Sequence, residues 1–553
     1  MKLFCTKKEK HSCIRMKKIK FLLLSVVLLG IVSCNDIPRQ TIEISGLTED
    51  VYFEQVGDID SIGLQEHYEL IIQKASEGNG DNDNLWLNYA QQLLDSANQY
   101  QEECINLSGA NWDVGSDGGS GINQLLGYQY STIRYKSIDH NGNPIMLSTL
   151  VVWPYNNILS DPDANNVIIG CHCTITSNKE RPTNYSKNSI MTDVGMLACS
   201  AKSNGITQAY ENLVIIPDYQ GYGATHGEPH PYLSQDITAR QVLDGVKAGI
   251  AYYKFIKHNL EDDWRSVSVG YSQGGSVAMA VHKYIEKNNL EKEFNFAGSV
   301  CGDGPYDPIA TLNKYISLDK IYMPIAAIYM VKSMCSTNQR LINKYTPEDY
   351  LTQRALDSGL LEIIDEKIQT TDDITGTLLN YSVQYNENDT TTLCMYRKAS
   401  DDKFYPYRKD TKDKHEWESG YGTSYAKTSD ILRPELINSF NGKTDAIHKE
   451  KIEALTAALN DNVLYKNWNP KHPIFLVHSI GDEVVPIRNY MNCLEAWENT
   501  SKHYVAGIKY AGITQSHVAF GEYFYIFHEG MAIVAILTNT ISLHMFDRTD
   551  VGI

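Results

Sequence analysis

The residues best suited to chemistry in this sequence are a serine with a glycine two positions away on each side, Gly270-Tyr271-Ser272-Gln273-Gly274. An apolar run, residues 265–270, leads into it. Residues 273–286 follow, with Val277, Ala280, Val281 and Tyr284 recurring on one helical face. A strand that enters Gly-x-Ser-x-Gly and leaves as a helix is a nucleophile elbow, a turn so sharp that only glycines fit beside the serine. A hydroxyl there sits at a helix N-terminus, where unpaired N–H groups and the helix dipole favour developing negative charge. The N–H of Gln273 is the expected first half of an oxyanion hole.

A serine hydroxyl is a poor nucleophile until a base takes its proton. The sequence supplies His517, in Gly512-Ile-Thr-Gln-Ser-His517-Val-Ala-Phe-Gly521, between a strand expected over residues 502–510 and a helix expected over 520–538. Asp482 follows the apolar run 473–478 in Gly481-Asp482-Glu483, just before the helix-opening Pro486, and is placed to orient an imidazole. Glu483 could substitute for Asp482, and His478 could compete as base. His478 lies inside the strand run, however, where a buried, hydrogen-bonded histidine is the commoner outcome. The second oxyanion donor is expected from the backbone N–H of Cys173 or a neighbour, at the end of the run 166–173. Neighbours in a strand point to opposite faces, so Cys171-His172-Cys173 makes a poor metal set. His226-Gly-Glu228-Pro-His230 sits in a Gly- and Pro-marked loop and is expected to be structural. No metal and no cofactor is implied.

These side chains must be carried by a scaffold, and its rhythm is legible. Residues 128–138 and 144–153 flank the turn signal Asp139-His-Asn-Gly-Asn and predict a hairpin. The runs 166–173, 213–217 and 265–270 are continuously apolar, as strands covered on both faces are. Residues 238–256 predict a helix with Val242, Val246, Ile250 and Tyr253 on one face, and 294–300 a further strand. Strands alternating with such helices predict an α/β fold with a mostly parallel, doubly wound sheet. The alternation stops between 307 and 469 and returns with the strand at 473–478 and a helix over 486–499. The expected organisation is a core from residues 124–306 and 470–553, a large insertion at 307–469 and an N-terminal extension at 45–123, with helices over 66–75 and 86–98.

Before the extension, Met16-Lys-Lys-Ile-Lys and the apolar run 21–32 end in Ile31-Val32-Ser33-Cys34. About 12 apolar residues are too few for a permanent membrane helix, which needs about 20. Residues 1–33 are therefore expected to be a signal. Ile-Val-Ser-Cys resembles a bacterial lipobox, which makes Cys34 the lipidated first residue, residues 34–44 a tether, and the bacterial cell envelope the expected location. Removal of 1–33 leaves 41 basic and 66 acidic residues, a net charge near −25, so nucleic acid is an unsuitable partner. Eight cysteines follow Cys34 without regular spacing and are expected to be mostly buried thiols. Oligomeric state is not legible.

Ile216-Pro217-Asp218-Tyr219-Gln220-Gly221-Tyr222-Gly223, then His230-Pro231-Tyr232-Leu233, the helix bearing Asp244, and Gly-Tyr-Ser-Gln-Gly-Gly together resemble the bacterial branch of the secretory lipase family of α/β-hydrolases. They are also similar to prolyl-oligopeptidase-like esterases. The resemblance covers residues 128–305 and 473–521. It implies an α/β-hydrolase fold with chain order nucleophile, acid, base, carried here by Ser272, Asp482 and His517. It makes the insertion a helical cap before the acid-bearing strand, with Tyr315, Tyr322 and Tyr329 suited equally to an apolar channel or to a helix-packing face. Asp218 and Tyr219 would line the floor of the site, and His172 and Tyr271 are further candidates for its lining. The chain departs from the pattern at Cys173, where a glycine usually stands.

The expectation is therefore a secreted, lipid-anchored serine hydrolase cleaving a small-molecule carboxylic ester through an acyl-enzyme. The ester preference comes from the resemblance. A peptidase or amidase would use the same triad, and a silent binding lipoprotein could use the same fold.

Overall fold

The computed structural model describes residues 39–44, 47–63, 126–158, 163–184, 212–256, 258–371, 394–398, 403–407, 426–511 and 550–552, with scattered positions from 66 to 102, residues 104–108, and His517 and Ile536. The expected signal, Cys34, most of the expected final helix at 520–538 and much of the N-terminal extension lie outside them.

The runs rich in Val, Ile and Leu form strands because branched side chains pack well on a pleated surface. In chain order the strands are β1 Arg39–Ile44, β2 Leu47–Gln55, β3 Asp60–Gly63, β4 Leu126–Ile138, β5 Pro144–Asn156, β6 Ala164–Cys171, β7 Asn212–Pro217, β8 Leu260–Tyr271, β9 Phe296–Gly302, β10 Cys394–Lys398, β11 Lys403–Tyr407, β12 Ile474–Ser479, β13 Val505–Ala511 and β14 Asp550–Gly552. Twelve of them make one sheet in the order β1-β2-β4-β5-β7-β6-β8-β9-β12-β13-β14, with β3 paired to β4, while β10 and β11 form a separate hairpin. Pairing is antiparallel from β1 to β7 and parallel from β7 onward. β6 lies between β7 and β8, so the winding reverses there. Such reversals leave a crevice beyond the carboxyl ends of the strands, and β6, β8, β9 and β12 all end on that side.

Helix α1, Gln235–Phe255, covers the β4–β5–β7 part of the sheet, and α2, Gln273–Lys287, covers β6, β8 and β9. Val242, Val246, Ile250 and Tyr253 of α1 and Val277, Ala280 and Val281 of α2 are buried in one core with Trp153, Ile169 and Leu476. Truncating Trp153, fully buried against Tyr252 and Tyr253, would cost about 3–5 kcal/mol.

The insertion carries α3 Pro308–Leu318, α4 Pro324–Thr337, α5 Leu360–Glu366 and α6 Lys449–Asp461. Asp307 starts α3 by accepting the N–H of Ala310, with Pro308 in the first turn. These helices bury a second core around Leu312, Ile328, Met334, Leu351 and Leu455, and into it pack Tyr232, Leu233, Val484 and Val485 from the sheet's loops. The chain rejoins the first core at Leu464 and Trp468. There Glu286 of α2 accepts N–H bonds from Trp468, Lys471 and His472 and contacts His282, which accounts for both carboxylate oxygens. Helix α7, Arg488–Trp497, follows β12.

The structure revises three boundaries. Residues 39–44, expected within a polar tether, form β1. β2 and β3 extend the sheet through the buried Val51, Phe53 and Ile62, although their Thr, Glu and Asp content hides the strand pattern. The last expected strand begins at Val505, because residues Lys502–Tyr504 form a 3-10 turn. Five of the six cysteines whose thiols are described are buried, and all six are free.

Candidate active site

Strand β8 ends at Tyr271 and α2 begins at Gln273, so Ser272 makes the whole reversal. Its backbone has φ +57° and ψ −125°, a sparsely populated conformation that costs on the order of 1–3 kcal/mol. Its N–H donates to Gly302 O at 2.9 Å, tying the turn to the end of β9. The flanking glycines follow from contact distances. A Cβ on Gly270 would lie 2.4 Å from Gly274 O, one on Gly274 2.0 Å from Cys171 O, and one on Gly275 2.3 Å from Gly302 O. All three meet backbone, which cannot swing aside.

Facing the serine, His517 Nε2 lies 2.8 Å from Ser272 Oγ, and its Nδ1 lies 2.6 Å from Asp482 Oδ2. An ionised carboxylate only accepts, so Nδ1 carries the hydrogen and Nε2 is left to accept from the serine hydroxyl. Asp482 Oδ1 accepts the N–H groups of Val484 and Val485 at 2.8 and 2.7 Å. Burial opposes charge on Asp482, but the charge and hydrogen bond of His517 hold its carboxyl below the usual range. Burial likewise pulls the imidazole of His517 down, and the carboxylates of Asp482 and Glu483 outweigh it, leaving His517 above its ordinary value.

The competing candidates occupy other roles. Glu483 accepts the backbone N–H of His517 at 3.1 and 3.2 Å rather than its ring, and burial lifts its carboxyl to about 7. His478 is buried in β12 with Nε2 donating to Val485 O at 2.8 Å, and burial lowers it to about 4.

Gln273 opens α2, where the first N–H groups have no intrahelical acceptor, and Cys173 lies just beyond β6, whose end passes over Gly274. Both expected oxyanion donors thus border the elbow. The four residues expected to line the site are all buried. His172 stacks on Tyr219 with ring centres 3.8 Å apart, and the Tyr219 hydroxyl donates to His172 O at 3.0 Å. Both oxygens of Asp218 are engaged, by Ser148 and by the hydroxyl and N–H of Thr183, which makes it a brace for the loop at 178–184. The Tyr271 hydroxyl lies 2.7 Å from His517 O and 3.0 Å from Asp303 Oδ2, behind the imidazole.

Two further residues join the site without having been expected there. His230 donates through Nδ1 to Gln220 O and accepts through Nε2 from the side-chain amide of Gln273 at 2.9 Å, fixing the residue after the serine. Burial keeps it neutral, lowering it to about 3. Asp303 directly follows β9 in Gly302-Asp303-Gly304, the same Gly-Asp signal after an apolar strand that marks Asp482.

Among solved structures, the chain is similar to the rice cell wall degrading esterase LipA of Xanthomonas oryzae, at 18% identity and a TM-score of 0.53, over 76% of this chain and 92% of that one. The chain has the α/β-hydrolase fold. A protein of Legionella pneumophila described as a candidate hydrolase shares this fold at 16% identity and a TM-score of 0.53, over 90% of this chain and 100% of the other. No protein-family model matches the chain, and no curated protein matches its sequence. Ser272, Asp482 and His517 follow β8, β12 and β13 of this sheet.

Proposed function

We propose that this protein is a serine hydrolase that cleaves carboxylic esters. The observation that carries the proposal is the continuous hydrogen-bonded line from Ser272 through His517 to Asp482, beginning at a strained elbow residue. Ser272 Oγ attacks the ester carbonyl carbon while His517 Nε2 takes its proton, and the N–H groups of Gln273 and Cys173 hold the resulting oxyanion. The C–O bond breaks as His517 returns the proton to the departing alcohol. Water then repeats the sequence on the acyl-enzyme, releasing the acid. Asp482 stays ionised throughout and stabilises the imidazolium. The choice of ester over amide is supported by the described activity of the Xanthomonas protein.

Export and anchoring through a lipidated Cys34 belong to the same proposal, on the strength of the lipobox-like residues 31–34. Five peptide steps separate Cys34 from β1, a reach of at most about 18 Å, so an anchored enzyme would work close to the membrane face. Loss of metabolic palmitate labelling in Cys34→Ser checks the anchor.

The activity is tested by hydrolysis of chromogenic esters from acetate to palmitate, with Ser272→Ala and a panel of peptide amides alongside. Ester turnover lost in Ser272→Ala supports the proposal, and the preferred chain length separates esterase from lipase. Turnover of amides alone would move the protein to the peptidases. No Ser272-dependent turnover on either panel would reject a broad acyl hydrolase.

A further inference from the structure

Behind the triad stands a second aspartate that the mechanism above does not use. Asp303 is completely buried and held at φ +36°, at the edge of the left-handed region, which is uncommon for residues other than glycine though aspartate is among those that enter it. The constraints are visible: its N–H donates to Val477 O at 3.0 Å, and Gly302 before it accepts the N–H of Ser272. The turn bearing Asp303 therefore lies directly beneath the elbow. Strain of this kind persists where the surroundings over-determine it, and it concentrates at functional sites.

The surroundings of the carboxyl group show a shortage of hydrogens. Oδ1 accepts the N–H of Ser479 at 3.0 Å, and Oδ2 lies 3.0 Å from the Tyr271 hydroxyl. That hydroxyl also lies 2.7 Å from His517 O, so one hydrogen faces two acceptors, and the shorter contact has the better claim on it. The carboxyl groups of Asp303 and Asp482 are both buried, and one oxygen of each lies within 4.8 Å of the other and of a ring nitrogen of His517. Two carboxylates bring no hydrogen to such a contact. The neighbouring groups do not supply one: His478 Nδ1, 3.6 Å away, is the unprotonated nitrogen of a neutral ring, the Tyr306 hydroxyl has no partner within hydrogen-bond distance among the described residues, Glu483 is turned to the N–H of His517, and His517 gives its Nδ1 hydrogen to Asp482. Two buried carboxyls in contact cannot both ionise.

We propose that Asp303 is a positioning residue that carries a proton at neutral pH and donates it to Asp482, so that the pair holds a single negative charge and that charge faces His517. This rests on the triad reading above. Burial and the neighbouring carboxylate of Asp482 push Asp303 well above the carboxylate range, while Asp482 lies below it, in agreement with this division of roles. The hydrogen bond from Asp303 joins those of Val484, Val485 and His517, so Asp482 is surrounded by donors and is a weak competitor for the imidazole proton. Asp303 acts through Asp482 and does not touch the reacting atoms.

Two measurements on the full chain test the proposal. The first is an infrared difference spectrum of wild type against Asp303→Asn at about pH 8, above the range where Glu180 and Glu483 titrate. The expected result is a carboxylic-acid carbonyl band present in wild type and missing from the variant, and its absence from wild type would overturn the proposal. The second is the pH dependence of kcat/KM. Asp303→Ala should lower kcat about tenfold, the scale expected for an outer residue that holds an active-site ligand. Asp303→Asn, which keeps a neutral donor, should recover most of that loss with the acid limb in place. An acid limb that moves to lower pH in Asp303→Asn would mean that a charged Asp303 had been supporting His517, and equal damage in both variants would mean that the donor is irrelevant; either result overturns the proposal. Failure of the triad reading would look different, as no Ser272-dependent turnover in wild type with the carbonyl band still present.

Discussion

The two sides of the candidate site are held by different forces. On the nucleophile side, Ser272 is fixed by backbone contacts, with three glycines at positions where any Cβ would meet a carbonyl within 2.0–2.4 Å. On the acid–base side, the described contacts are mainly polar. Asp482, His517, Glu483 and Asp303 are aligned by hydrogen bonds and by the charges they impose on one another. The first side should respond to substitution steeply and through geometry. The second should respond in graded steps and through pH.

The largest expected effect is on the nucleophile. Ser272→Ala should reduce kcat by about 10⁵–10⁶-fold, in line with removal of a triad serine, measured on the preferred ester at saturation. Asp482→Asn follows at about 10⁴-fold in kcat, because an amide favours the wrong imidazole tautomer. Gly274→Ala removes no hydrogen bond, yet its Cβ would stand 2.0 Å from Cys171 O. The shift needed to relieve it should cost about 10²-fold in kcat/KM, and wild-type kinetics in that variant would break the distinction between the two sides. His230→Phe removes the acceptor that fixes the Gln273 amide and should cost about tenfold.

The smallest effect sharpens the acid–base side. His517 must be neutral to accept a proton and its value is raised, so activity should fall as the pH drops through a midpoint above 6.5. Glu483 contributes to that rise, so Glu483→Gln should move the acid limb of kcat/KM to lower pH by less than about one unit. A limb that moved upward would contradict the assigned charges.

Legibility in the sequence divides along similar lines. The elbow could be read because a strand, two glycines, a serine and a helix are adjacent in the chain, and their sterics are local. Asp482 and His517 could be read because each follows an apolar strand in a loop. The same Gly-Asp signal at Gly302-Asp303 carries no local meaning, since its value depends on β9 pairing with β12, a contact between residues about 175 positions apart that no local pattern encodes. The link from His230 to Gln273 joins two distant loops and is hidden for the same reason. Asp218 illustrates the converse. Its place in a motif was clear, but its bracing of Thr183 and Ser148 needed three segments in view at once. Strands β1–β3 are hard to read because Thr, Glu and Asp interrupt their apolar pattern; in residues 51–63 only Val51, Phe53, Ile62 and Gly63 are buried.

The most direct test of the account is covalent labelling by a fluorophosphonate, which reports an activated serine without presuming the substrate. The account predicts one adduct, on Ser272, formed more slowly as the pH falls through the His517 midpoint and absent from Ser272→Ala and His517→Ala. A folded protein that takes no adduct, or takes it on another residue, would contradict the claim that the line from Ser272 to Asp482 is a working catalytic triad.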